Sequence, residues 1–145
     1  MNVDITDLKT VRLSQDGSAV IILDQTCLPG SEVYVSLSSA EEIWEAIYRL
    51  KVRGAPAIGI AAAYGIYVCS RQIAANTYGG FCSEFLRIKD YLASSRPTAV
   101  NLVAALDRME KVVVAHSVNP VPEIVELLRV EAEAIRAEDA AACRK

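Results

Sequence analysis

The sequence has a single histidine, His116, and none of its four cysteines form a C-x-x-C pair. A zinc site needs clustered Cys and His ligands, so no metal and no cofactor is expected. The same scarcity removes a serine–histidine–acid triad. His116 stands between Ala115 and Ser117 without a partner and reads as a loop residue rather than a base. Cys27, Cys69, Cys82 and Cys143 read as reduced thiols, because a chain of 145 residues has core enough without disulfide staples. An excess of basic residues is also missing. Fifteen Lys and Arg stand against 18 Asp and Glu, a net charge of −3, which argues against a nucleic-acid partner. It leaves room for a small phosphate-bearing ligand, which needs only one or two local arginines. The longest apolar run, residues 55–69, is 15 residues, short of the roughly 20 that cross a bilayer. The opening MNVDITDLK has two acids and no apolar stretch of the kind a signal peptide carries. The expectation is a cytoplasmic protein with no membrane partner.

What is present is globular. Hydrophobic residues make up 52% and charged residues 23%, a balance that a disordered tail does not have. The length is that of one domain, and 21 alanines lean it toward helix.

Residues 1–38 read mainly as strand. Val11-Arg12-Leu13 alternates, Gln15-Asp16-Gly17 supplies a turn, and Ala19 to Leu23 runs apolar, which together make a hairpin. Pro29-Gly30 marks a second turn. Val33, Val35 and Leu37 then alternate with polar neighbours, giving a third strand. Residues 39–145 read mainly as helix. Ser39-Ala40-Glu41-Glu42 is a capping box ahead of Ile43, Ile47 and Leu50. A second helix is predicted from Pro56, apolar on every face from Ile58 to Val68 and therefore central. Gly59 and Gly65 within it each cost about 1 kcal/mol relative to alanine, so packing or a ligand must compensate. A loop over residues 76–80 precedes a third helix carrying Phe81, Phe85, Ile88 and Leu92. Thr98 reads as the N-cap of a fourth, with Leu102, Leu106, Met109 and Val113 inward and Asn101 inward or capping. A fifth helix runs from about Glu123 and is striped by Ile124, Leu127, Leu128 and Ile135. It has no glycine stop, which suits either a connector or a frayed end. The fold class is α+β: a small N-terminal antiparallel sheet, then a bundle of about five helices, in one domain.

Two arginines stand before helix starts, in Arg53-Gly54-Ala55-Pro56 and in Ser95-Arg96-Pro97-Thr98. A helix N-terminus presents free N–H groups and a partial positive charge, so it suits an anion. Gly54 lets backbone approach a ligand, and an arginine beside it can pair with a phosphate in two-pronged fashion. A solvated surface role for each arginine remains open at this level. Asp24-Gln25, after an apolar strand, could cap a turn or line a polar pocket. Asp107 and Arg108 read as a solvated face.

The run RGAPAIGIAAAYG, from Arg53 to Gly65, resembles the S-methyl-5-thioribose-1-phosphate isomerases, relatives of the translation initiation factor 2B subunits. The resemblance extends through Leu23-Asp24-Gln25-Thr26 with Leu28-Pro29. It continues through SRPTAVNL, Ser95 to Leu102, and Ala105 to Met109, and so covers nearly the whole chain from Val11. It implies that Arg53, Gly54, Ala55 and Arg96 contact a phosphorylated sugar, and that the reaction is an aldose-to-ketose isomerisation in methionine salvage. In that family the catalytic cysteine, in a THCNAG-like segment, and the catalytic aspartate lie in a second, Rossmann-like domain. No such segment occurs in these 145 residues, and none of the four cysteines inherits the role. The expectation is therefore an N-terminal isomerase domain without its C-terminal partner. It would be inactive alone, with no catalytic residue assigned, and would self-associate through exposed apolar surface. The alternatives are a non-catalytic initiation-factor-like regulatory or interaction domain, and part of a ribose-1,5-bisphosphate isomerase.

Overall fold

In the computed structural model, residues 11–24, 30, 33–49 and 55–143 are described. Three strands, β1 (Val11–Leu13), β2 (Val20–Leu23) and β3 (Tyr34–Leu37), form an antiparallel sheet in the order β1-β2-β3. Ile22 is the hinge of the register, opposite Val11 on one side and Val35 on the other. Val11, Val20, Ile22 and Leu37 face the helices and are buried. The β1–β2 turn is organised by Asp16. Its Oδ1 accepts from the Ser14 hydroxyl (2.8 Å), the Ser18 amide (3.0 Å) and the Ser18 hydroxyl (2.7 Å). These bonds hold the Asp16 carboxyl down at about 2, against an ordinary 3.8. Gly17 follows at φ +76°, the left-handed region that glycine enters freely.

Five helices follow among the described residues: α1 (Ala40–Tyr48), α2 (Ala55–Arg71), α3 (Tyr78–Ala93), α4 (Val100–Ala115) and α5 (Val121–Cys143). Ser39 caps α1, its hydroxyl accepting from the Glu42 amide at 3.1 Å. The returning bond lands one residue earlier than a capping box requires: the Ser38 amide donates to Glu42 Oε1 at 2.8 Å. The central helix is α2, buried without interruption from Ile58 to Ser70 and packed chiefly against α4 and α5. Packing explains both of its glycines. A Cβ on Gly65 would lie 2.9 Å from Ile43 Cγ2, so α1 rests directly on that backbone. A Cβ on Gly59 would lie 3.1 Å from the Asn101 carbonyl, so the first turns of α2 and α4 meet there.

Several boundaries shift from the sequence reading. Helix α2 begins at Ala55, one residue before Pro56. Helix α3 begins at Tyr78, inside the expected loop, because the Thr77 hydroxyl accepts from the Gly80 amide at 3.1 Å. Helix α5 begins at Val121, two residues before Glu123. Thr98 is not the cap of α4. The Ala99 amide donates to the Arg96 carbonyl at 3.0 Å, closing a turn that leaves Thr98 exposed and Ala99 at the cap position with no side-chain bond. Asn101 points outward, since Leu102, Leu106 and Met109 set the inward phase of α4. Asp24 is buried at the end of β2, and its amide extends the ladder by donating to the Val33 carbonyl at 2.8 Å. Gly30 lies in a turn, as expected; Gln25 and Pro29 lie outside the described residues.

Candidate anion site at two helix starts

The starts of α2 and α4 come together because Gly59 gives α4 no side chain to push against. Their junction borders a cleft of about 360 Å³, lined by Pro56, Gly59, Ile60, Asn101, Ala104 and Arg108 among others. Ala55 opens α2. Arg96 lies in the turn ahead of α4, half-buried, and makes no side-chain hydrogen bond or ion pair among the described residues. The loop around it is pinned by its neighbours. Ser95 is buried, and its hydroxyl donates to the Leu92 carbonyl at 2.7 Å. Arg53 and Gly54 lie outside the described residues. Helix α4 has no side-chain cap, so its first N–H groups are left for solvent or a ligand.

Arg96 does not line this cleft; the described cation that does, Arg108, is already engaged. Arg108 donates to both carboxylate oxygens of Glu138, at 2.8 and 2.6 Å, and its Nε donates to Glu131. These bonds raise its pKa further above its ordinary value. Arg108 is thus a strut between α4 and α5 rather than the solvated residue the sequence suggested. Glu131 and Glu138 are seven residues apart, two helical turns, and so share one face of α5. That spacing was readable; the partner across the bundle was not. A similar strut ties α3 to α4, where Lys89 pairs with Asp107 at 2.7 Å and with Glu110.

Of the thiols whose surroundings are described, neither Cys69 nor Cys82 lines the cleft. Cys69 is buried in α2, and burial pushes its thiol up to about 12. Cys82 is half-buried on α3; Cys27 lies outside the described residues, and Cys143 is the last residue of α5. His116, the C-cap of α4, is placed by a 2.8 Å contact between its Nδ1 and the Val112 carbonyl. Among the described residues no group of three or more His, Cys, Asp or Glu could hold a metal ion. No helix among them is long and apolar enough to cross a membrane.

A three-stranded sheet leading into a helical bundle is an arrangement this chain shares with solved relatives. The chain belongs to the initiation factor 2 subunit family, whose model matches residues 51–145. It is 65% identical over 135 residues to a methylthioribose-1-phosphate isomerase of Parabacteroides distasonis, covering 93% of this chain and 40% of that protein. It is 50% identical over 130 residues to a 5-deoxyribose 1-phosphate isomerase of Moorella thermoacetica, covering 90% of this chain and 37% of that one. The crystal structure of a 5-methylthioribose 1-phosphate isomerase from Pyrococcus horikoshii superimposes with a TM-score of 0.84 at 39% identity, over 89% of this chain and 36% of that one. The chain thus spans about two fifths of the length of the relatives it matches.

Proposed function

We propose that these residues form the N-terminal, phosphate-contacting part of an isomerase that converts a ribose 1-phosphate modified at C5 into its ketose, with methylthioribose 1-phosphate as substrate. Arg53, Gly54 and Ala55 at the start of α2, and Arg96 ahead of α4, hold the phosphate. The observation that carries this is the junction of the starts of α2 and α4 at Gly59 and Asn101, with Arg96 in the turn ahead of α4. The 65% identity to a methylthioribose-1-phosphate isomerase supports that sugar. The family's own description points to initiation factors, so membership alone does not choose between enzyme and interaction domain.

The chemistry divides accordingly. A phosphate on C1 blocks simple ring opening, so the reaction needs an acid to open the ring and a group to move hydrogen between C2 and C1. The described residues offer neither at the helix starts. Their part is to bind and orient: helix N-termini and guanidinium groups fix the phosphate and leave the ring projecting beyond the domain.

The 145-residue protein should therefore bind without turning over. Calorimetry should give a millimolar affinity for methylthioribose 1-phosphate, on the order of −4 kcal/mol, and none for methylthioribose lacking the phosphate. Arg53→Ala should remove a charge-assisted bond worth about 1.5–3 kcal/mol and abolish detectable binding. Arg53→Lys should recover part of it, since a point charge lacks the planar fork. Equal binding of the unphosphorylated sugar, or ketose formation by the repurified protein, would overturn this reading. Failure of every sugar phosphate to bind would favour the interaction-domain alternative.

A further inference from the structure

The cleft beside the two helix starts is apolar along its walls and closed at its far end by an ion pair. It follows one face of α4 from Asn101, in the first turn, to Arg108, about two turns or 10 Å further on. Pro56, Gly59 and Ile60 of α2, Ala104 of α4 and Ile135 of α5 give it walls without a polar side-chain atom. Ile60 is buried and Ile135 half-buried; Ala104 is exposed and, as an alanine, keeps the α4 wall low. Among the described lining residues the polar side chains are those of Asn101, Arg108 and Glu138. Asn101 stands at the end nearest the turn that carries Arg96. At the other end Arg108 donates to both carboxylate oxygens of Glu138 and to Glu131. One cation against two carboxylates leaves that end with an excess of negative charge.

These walls treat different chemical groups differently. An uncharged apolar group gains by burial against Ile60, Ala104 and Ile135. A hydroxyl in the same place gives up water and finds no partner. A phosphate meets the carboxylates of Glu131 and Glu138, and the described cation beside them is bound to both.

We propose that this cleft is a specificity subsite for the sugar: it takes the substituent on C5 of a ribose 1-phosphate and selects an uncharged apolar group over a hydroxyl or a second phosphate. Ala104 leaves the room, and Glu138, by holding Arg108, withholds the cation that a second phosphate needs. With the C1 phosphate at the start of α4, the C5 end lies along the cleft and the C1–C2 edge faces beyond the domain. The inference rests on the phosphate role proposed above, and only on its α4 half, with Arg96 in the turn ahead.

The test is an amide-shift titration of the 145-residue protein with four probes: inorganic phosphate, methylthioribose 1-phosphate, ribose 1-phosphate and ribose 1,5-bisphosphate. The methylthio sugar should bind about tenfold more tightly than ribose 1-phosphate, the scale set by a small apolar group in a matching pocket. It should also outbind the bisphosphate despite carrying less charge. Ala104→Leu should remove the preference for methylthio and leave the affinity for inorganic phosphate unchanged. Glu138→Gln should raise the affinity for the bisphosphate several-fold and leave that for the methylthio sugar unchanged. Both residues are exposed, so neither substitution threatens the core. Tighter binding of ribose 1-phosphate or of the bisphosphate by the unsubstituted protein would overturn the subsite, as would a methylthio preference that survives Ala104→Leu. Unchanged bisphosphate affinity in Glu138→Gln would overturn the part given to Glu138. If inorganic phosphate shifts no amide at the start of α4, the phosphate reading fails and the subsite with it; if phosphate binds and the sugars are not told apart, the subsite alone fails.

Discussion

Single residues carry several of the fold's tightest constraints. Gly65 was visible as an oddity in an apolar helix, but only the structure supplies the reason, with Ile43 Cγ2 2.9 Å from the place a Cβ would take. Gly65→Ala gains about 1 kcal/mol of helix propensity and meets an overpacking cost of about 1–3 kcal/mol. Ile43 is buried and β-branched and has little room to yield. Urea unfolding should show a net loss; a more stable variant would mean that α1 shifts freely. Asp16 was legible as a turn residue, and the structure adds a pH dependence. Its carboxyl is held at about 2, below the ordinary 3.8, so the folded chain binds that proton less readily than the unfolded one. The stabilisation is present above about pH 4 and is lost as pH falls through the folded value. Asp16→Ala should melt earlier than the unsubstituted protein at neutral pH, and the gap should close toward pH 2. A gap that stays constant across that range would contradict it.

Elements were largely readable from periodicity, because all but α2, which is buried on every side, bury one clear face. The α3 stripe Phe81, Phe85, Ile88 and Leu92 is buried as its spacing required, and the alternation in β3 puts Leu37 inside. Capping was less readable where it depends on the path of the chain. Thr98 has the right chemistry for a cap, but the turn closed by Arg96 and Ala99 carries it past the helix start. Links between elements were not readable at all, since Arg108 reaches carboxylates 23 and 30 residues away. That strut is testable. The Arg108 side chain is 36% exposed, so solvent screens its pairs with Glu131 and Glu138. Arg108→Ala should cost about 1 kcal/mol, and the difference should shrink in high salt. A loss insensitive to salt would point to packing of the arginine stem instead.

For the whole molecule, the sequence marks a candidate site, two arginines before two helices in motifs resembling those of a sugar-phosphate isomerase family; of the two, the structure describes Arg96 and not Arg53. The sequence could not say that the two starts touch, because that depends on Gly59 admitting the Asn101 carbonyl across 42 residues of chain. The contact brings two helix N-termini side by side, and the central proposal is that a phosphate sits there. The most direct measurement is a titration of the 145-residue protein with inorganic phosphate, followed through backbone amide shifts. The account predicts saturable shifts, at millimolar phosphate, at Gly54, Ala55 and the stretch from Arg96 to Leu102, all lost in Arg96→Ala. Shifts confined to other helix starts, such as that of α3 at Tyr78, or shifts at Gly54 and Arg96 that survive Arg96→Ala unchanged, would contradict it.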